Sequence, residues 1–261
     1  MLIVLVLGGG CASPAGRFDR LARERGLQRQ VVPGEGFEHV VYARDDDGGD
    51  VLHVYLAGDG TPWLTRHRPA LDPTPRRPVM LDLMALDPAP SMLLGRPCYH
   101  GLSRVPGCSV WDWTAGRYSE RVVISSVEAL AHWVRRRPVE SLVVIGYSGG
   151  GTLAMLLTEF WEVRRRAEDL HLPPIRQVVT IAANLDIDRW SELHGYSPLS
   201  GSLNPARRPA LPENIRQWHL MGVRDSNVPP ELVEQVVESQ IAAERLVFAE
   251  FDHSCCWESI W

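Results

Sequence analysis

Gly146-Tyr147-Ser148-Gly149-Gly150 sets a serine among small residues, after the apolar run Ser141-Leu142-Val143-Val144-Ile145 and before Thr152-Leu153-Ala154-Met155-Leu156-Leu157. The order is strand, tight turn, buried helix, the setting in which a serine hydroxyl is presented at a bend as a nucleophile. Gly146 and Gly150, two positions to either side, allow strand and helix to approach closely. A serine hydroxyl is a weak nucleophile until a base takes its proton, so a base and an acid are needed downstream. Gln217-Trp218-His219-Leu220-Met221-Gly222 reads as a short strand and runs into Val223-Arg224-Asp225-Ser226-Asn227-Val228-Pro229-Pro230. Arg245 to Phe251 forms a further β-rich run that delivers Asp252-His253. Ser148, Asp225 and His253 therefore each follow an expected strand, and together they would support acyl transfer by a serine nucleophile.

Serine, acid and histidine in that chain order resemble the α/β-hydrolase fold superfamily, with its serine esterases and lipases. The resemblance runs from about Phe37 to near the C-terminus and rests on Gly146 to Gly150, on the segment Asp225 to Pro230, and on His253. Leu56-Ala57-Gly58-Asp59-Gly60-Thr61, after the strand Val51 to Tyr55, is similar to the His-Gly oxyanion loop of esterases, with Ala57 where His is usual. The resemblance implies that Ser148 attacks an acyl carbonyl, His253 accepts and returns the proton, and Asp225 orients the imidazole. It also implies an oxyanion hole from the amide of Gly149 and one of Gly58, Asp59 or Gly60, with Asp59 preferred. Tyr147 and Trp63 are read as substrate contacts. Asp186 and Asp188 are rival acids after the strand Arg176 to Ala183; Asp225 is preferred because its strand comes next before that of His253. His53 and His219 sit inside expected strands as packing residues, while His100 and His194 are candidates to line a pocket.

These residues need a scaffold, and strands alternating with helices predict a mostly parallel twisted sheet with helices on both faces. The expected order is strands at His39 to Ala43, Val51 to Leu56 and Val79 to Leu86, a helix from about Ser125 to Arg136, then the strand and helix around Ser148. A strand at Arg176 to Ala183, a short helix near Arg189 to His194, the strand before Asp225, a helix from Glu231 to Ala243 and the last strand complete it. The first two strands, joined by Asp45 to Gly49, read as an antiparallel hairpin at the N-terminal edge. With 261 residues, 45% apolar and 23% charged, residues 37–261 can form one domain. A net charge of −5 gives no electrostatic case for nucleic acid. Arg135-Arg136-Arg137 and Arg164-Arg165-Arg166 fall where helices should end, and the helix dipole favours cations there.

Two long loops, 61–77 and 87–118, break the rhythm. Trp63, Met92, Leu93, Leu94, Tyr99, Trp111 and Trp113 within them are candidates for an acyl or alcohol pocket, as well as for packing; Trp190, Tyr196 and Leu199 are candidates for a small cap. Cys98 and Cys108 bracket one irregular segment and are expected to form a disulfide. A bond between the adjacent Cys255 and Cys256 would be strained, so these are expected to be reduced or paired elsewhere. No C-x-x-C pair or H-E-x-x-H is present, so no metal is indicated, and no cofactor. Met1 to Leu7 followed by Gly8-Gly9-Gly10-Cys11 resembles the end of a bacterial lipoprotein signal, residues 1–10, with Cys11 the lipidated residue and residues up to 36 a tether. That implies the cell envelope and attachment to a membrane; the competing reading is a first strand with a buried Cys11 in a cytoplasmic enzyme. The function expected is a serine hydrolase acting on a small-molecule or lipid ester. The alternatives are a peptidase or acyltransferase on the same triad, or a non-catalytic binding protein of that fold.

Overall fold

The structure, a computed structural model, describes residues 13–44, 49–167 and 171–261. Helix α1 (Pro14–Glu24) leads into strands β1 (Gln28–Pro33), β2 (Glu38–Ala43) and β3 (Val51–Leu56), followed by the small β4 (Trp63–Thr65) and β5 (Arg68–Pro69) pair. Helix α2 (Val79–Leu86), strand β6 (Ser91–Leu94), helix α3 (Glu120–Val134), strand β7 (Ser141–Tyr147) and helix α4 (Gly149–Ala167) come next. Strand β8 (Ile175–Ile181), helix α5 (Ile187–His194), strand β9 (Arg216–Gly222), helix α6 (Pro230–Glu238) and strand β10 (Ala243–Phe248) complete the order. Eight strands form one sheet in the order β1-β2-β6-β3-β7-β8-β9-β10. β6, β3, β7, β8, β9 and β10 are parallel to one another, while β2 runs antiparallel to both its neighbours.

The sheet is mostly parallel with helices on both faces, as the alternation of the sequence implies. Its strands are apolar on two sides because both sides are covered. Leu52, Val54, Leu142 and Val144 belong to a core shared with α3, α4 and α6, whereas Tyr55 and Ile145, one residue out of phase, join a second core with α1, α2 and Trp257. That is the period of two expected for a strand. Helix α4 is buried from Gly149 to Thr158 and is apolar all round in this part, as befits a helix against the centre of the sheet. It ends in Arg164, Arg165 and Arg166, and α3 stops just before Arg135, so both arginine clusters do lie at helix ends. α3 itself starts at Glu120, one turn earlier than the sequence pattern indicated.

Several elements differ from expectation. An antiparallel hairpin does stand at the N-terminal edge, but β1 and β2 form it, in the register Gln28↔Ala43 to Pro33↔Glu38. The strands at 38–43 and 51–56 are not neighbours, because β6 inserts between them. Residues 17–30, read as part of a tether, belong to α1 and the start of β1: Pro14 at its first turn and the Ser13 hydroxyl accepting from the Gly16 N–H start the helix, which buries Phe18 and Ala22. A boundary between residues 36 and 37 would separate β1 from β2, which pair across it. The signal segment 1–10 and Cys11 lie outside the described residues.

Val79 to Leu86 is a helix rather than a strand. Val79, Met80, Leu81, Leu83 and Met84 are all buried, so the hydrophobic pattern carries no period; with that signal lost, the intrinsic preference of Met, Leu and Ala decides for helix. Helix α2 and β6 then occupy segments that the sequence left as strand and loop. Cys98 and Cys108 are joined, with Cα atoms 5.6 Å apart. Cys255 and Cys256 are also joined to each other, contrary to the expectation of reduced or separately paired thiols. The chain turns sharply there: Asp252 Oδ1 accepts from the N–H groups of Ser254 and Cys255, and Cys256 has φ 82°.

Three buried histidines make stability depend on pH. Burial lowers His39 from 6.5 to about 4, against a hydrogen bond to the Gly95 carbonyl; it lowers His100 to about 3 and His219 to about 4. An unfolded chain regains ordinary imidazoles and takes up protons below pH 6.5, while the folded chain does not until the lowered values are reached. Folding stability should therefore drop as pH falls from 6.5 towards 4, by up to about 4 kcal/mol per pH unit if all three contribute. Urea unfolding across that range should give this slope, and His219→Gln should remove about one third of it; a flat profile would contradict the assignment of neutral buried imidazoles.

Candidate active site

The functional candidates sit beyond the C-terminal ends of parallel strands, on one edge of the sheet. β3 ends at Leu56 and opens into residues 57–61; β7 ends at Tyr147, before Ser148; β9 precedes Asp225; and β10 precedes His253. This edge is where open α/β sheets hold ligands.

Ser148 occupies a strained bend. Its φ is +53°, in the left-handed region that a residue with a side chain rarely adopts. Its N–H donates to the Ile181 carbonyl at 2.8 Å, and its carbonyl accepts from the Gly151 N–H at 2.9 Å. Gly146 and Gly150 fit the crowding: a Cβ at Gly146 would run into the backbone of Gly150, and a Cβ at Gly150 into the carbonyls of Leu56 and Ala57. Bulk at either position would push β7, α4 and the end of β3 apart.

Asp225 and His253 reach the same place. His253 Nδ1 donates to Asp225 Oδ2 at 2.8 Å, which leaves Nε2 as the lone-pair nitrogen, and the Ser148 hydroxyl donates to Nε2 at 3.0 Å. Asp225 is buried, and its other oxygen accepts from the N–H groups of Asn227 at 2.9 Å and Val228 at 2.8 Å. That turn is the local meaning of Asp225-Ser226-Asn227-Val228. Asn227 was not singled out from sequence, yet its Nδ2 donates to the same Nε2 at 3.0 Å while its Oδ1 accepts from Trp190 Nε1 at 3.3 Å. The Tyr147 hydroxyl donates to the His253 carbonyl at 2.8 Å, tying the histidine loop to the bend. Burial, followed by the charge of Asp225, raises the Tyr147 phenol, which keeps it a donor.

Beside Ser148 lies the loop 57–61. A Cβ on Gly58 would come within 3.2 Å of Ser148 Cβ, so the Gly58 backbone packs directly on the serine. Gly60 has φ +67° and its backbone is pressed against Pro73 to Pro75. Gly149 opens α4, so its N–H is among the first four of the helix, which have no partner within it; a Cβ there would meet the Asp59 carboxylate and the Tyr118 hydroxyl. The Asp59 carboxylate accepts from Arg96 Nη1 at 2.7 Å, Arg117 Nη1 at 2.8 Å and the Tyr118 hydroxyl at 2.7 Å. Its carbonyl accepts from the Tyr99 hydroxyl at 2.9 Å, and Arg96 Nη2 donates onward to the Gly149 carbonyl at 3.0 Å. Burial alone would raise the Asp59 carboxyl, but the two guanidinium groups and Tyr118 hold it below the usual carboxylate range. Arg96, Arg117 and Tyr118 carried no motif and escaped the sequence reading; only their position in a long loop near the edge hinted at them.

Ser148 and His253 open into a cavity of about 980 Å³. Trp63, Trp190, Tyr196 and Leu199 line it, together with Tyr147. Met92, Leu93 and Leu94 do not: they are buried in β6. Trp113 packs with Cys98, Tyr99 and Phe37 around the Cys98–Cys108 bond. His100 is buried between Phe18 and Tyr42, and His194 Nε2 donates to the Asn227 carbonyl at 2.8 Å; neither lines the cavity. Asp186 caps α5, and Asp188 pairs with Arg207, which occupies both rival acids elsewhere. Among the described residues no group of three or more His, Cys, Asp or Glu is arranged to hold a metal.

No protein-family model matches the sequence, and no curated protein matches it. Solved structures do match. An esterase from Pyrococcus furiosus is 14% identical, with 91% of this chain and 89% of that chain covered and a TM-score of 0.56. A hormone-sensitive lipase from a metagenome library is 14% identical over 94% and 85% of the two chains, TM-score 0.58. An esterase/lipase from an uncultured bacterium is 14% identical over 95% and 85%, TM-score 0.54. At such identity the likeness is one of fold: the chain has the α/β-hydrolase fold.

The Asp59 cluster gives a test of how the loop is held. Asp59→Ala strands the buried guanidinium groups of Arg96 and Arg117 without a counter-charge, and removing one partner of a buried pair costs about 3–5 kcal/mol. Denaturant unfolding of the variant should report a loss of that size; a loss below about 1 kcal/mol, the value of an exposed pair, would mean that the cluster does not hold the loop.

Proposed function

We propose that the protein is a serine hydrolase that cleaves a carboxylic ester through an acyl-enzyme intermediate. The observation that carries this reading is the unbroken hydrogen-bond relay from the Ser148 hydroxyl through His253 to buried Asp225, at 3.0 and 2.8 Å. As the Ser148 oxygen forms its bond to the acyl carbon, its proton passes to Nε2, and Asp225 stabilises the imidazolium that results. The tetrahedral oxyanion is met by the amide of Gly149 and by one from the loop Gly58-Asp59-Gly60, where Asp59 is preferred. The alcohol leaves with the proton from Nε2. Water then attacks the acyl carbon while His253 takes its proton; the bond from that carbon to the Ser148 oxygen breaks, Nε2 returns the proton to that oxygen, and the acid departs. Tyr147 and Trp63 contact the substrate in this scheme.

Asn227 adds a detail of the resting state. Its side-chain N–H donates to Nε2 at 3.0 Å beside the serine hydroxyl, and so helps to hold the ring in the plane of the relay. The folds of the esterases and lipases above agree with ester substrates but do not distinguish acyl acceptors. We extend the proposal to the compartment: linked pairs Cys98–Cys108 and Cys255–Cys256 suit an oxidising space such as the cell envelope. Detection of a lipidated Cys11 by intact mass in an envelope fraction would test that part.

A fluorophosphonate probe should label the wild-type protein and leave Ser148→Ala unlabelled. On 4-nitrophenyl esters, Ser148→Ala should lower kcat by a factor on the order of 10⁶, and Asp225→Asn by about 10⁴ with the fold intact. Absence of labelling in both proteins would favour a binding role for this fold, and turnover of a peptide amide without turnover of esters would favour a peptidase.

A further inference from the structure

The charge on the cavity wall points further than the relay does. Four arginines, Arg66, Arg76, Arg77 and Arg117, line the cavity against a single carboxylate, Asp59. Asp59 and Arg117 already neutralise one another, with Arg96 on the other oxygen. Arg66 and Arg76 meet no carboxylate among the described residues, and Arg77 hydrogen-bonds the Ser254 hydroxyl at 3.1 Å, one residue from His253. The charge of Arg77 reaches the Tyr147 phenol, where the carboxylates of Asp225, Asp252 and Glu258 oppose it. This concentration of positive charge stands on a protein whose formal net charge is −5. It is therefore local to the cavity and not a general property of the surface.

The backbone that carries Arg76 and Arg77 is held in place, while the side chains of Arg66, Arg76 and Arg77 are exposed. Arg76 and Arg77 lie between Pro75 and Pro78 on a segment whose residues 73–75 are buried. The Thr61 N–H donates to the Pro73 carbonyl at 2.9 Å, the His100 N–H to the Thr74 hydroxyl at 2.8 Å, and the Gly60 backbone packs against Pro73 to Pro75. The segment is thereby bolted to the loop that carries Gly58 and Asp59 beside Ser148. Arg66 reaches the same cavity from the turn between β4 and β5. Trp190, Tyr196 and Leu199 line the same cavity, so it offers apolar as well as cationic surface.

We propose that the substrate is an anionic ester, a molecule carrying a carboxylate or a comparable acidic group in addition to the ester bond, and that Arg76 and Arg77, supported by Arg66, bind that group. This rests on the ester-hydrolase reading above and narrows it to a substrate class. Guanidinium groups suit the task because their planar donors match the two oxygens of a carboxylate. Cations gathered in a cleft also raise the local concentration of an anion and its rate of capture, in a way that salt weakens.

The test separates binding from turnover. Ser148→Ala, which cannot form the acyl-enzyme, is titrated calorimetrically with monoethyl glutarate and with its uncharged counterpart ethyl valerate. The half-ester is soluble and has no lipid tail, so its binding reports the cavity and not adsorption to an interface. At low ionic strength the half-ester should bind at least about tenfold more tightly, and the ratio should shrink in high salt. Adding Arg76→Gln and Arg77→Gln should bring the ratio towards one, whereas Arg68→Gln, on β5 outside the cavity lining, should preserve it. Equal affinity for the two esters, no measurable binding of the half-ester, or a preference that survives the double replacement would overturn the proposal. Failure of the wild-type protein to hydrolyse either ester would instead count against the ester-hydrolase reading and leave the binding result standing.

Discussion

The Asp59 carboxylate holds the functional edge of this molecule together. Through Arg96, Arg117 and Tyr118, with Tyr99 on the backbone carbonyl of the same residue, it joins the loop after β3, the long connection between β6 and α3, and the start of α4. Burying two guanidinium groups is expensive, and only close, well-directed contacts to a carboxylate offset that cost. The cluster is therefore selective about geometry: the loop can rest beside Ser148 in few ways other than the one observed. Cys98–Cys108 acts in the same sense, closing the segment that carries Tyr99 and lies just after Arg96.

A second constraint is crowding at the bend. β7 is the central parallel strand between β3 and β8, and α4 leaves from its end so closely that Gly146, Gly150 and Gly151 leave no room for a side chain. Ser148 is strained in that setting because strand, helix and neighbouring loop all fix its backbone. The strain is thus supported by the packing of strand, helix and loop around the bend. It aims the hydroxyl away from the sheet, towards the imidazole that arrives from beyond β10.

How much of this could be read from the sequence follows from which signals are local. The bend around Ser148, the turn at Asp225 and the histidine after the last strand each have a short-range signature, and the parallel sheet with helices on both faces follows from the alternation of elements. Val79 to Leu86 reads as a strand although it is a helix, because burial on all sides erases the period that separates the two. β6 was missed because four residues after Asp-Pro-Ala-Pro give too short a run, and without it β2 and β3 seem to be partners. α1 looked like a polar tether because only a narrow stripe, Ala15, Phe18 and Ala22, is buried. Arg96, Arg117, Tyr118 and Asn227 could not be found at all by such means: their partners are distant in sequence, and each is an ordinary residue until the fold brings it to Asp59 or His253.

The histidine reaches the serine across 105 positions of chain, carried on a segment that follows the last strand. That segment is docked rather than woven in: Trp257 is sealed in the core beneath it, its indole nitrogen donates to the His253 carbonyl, and Trp261 reaches the Tyr55 hydroxyl. The position of the imidazole is therefore only as firm as the seating of that segment: a change that loosens Trp257 from the core would carry His253 away from Ser148 while leaving β7 and α4 in place.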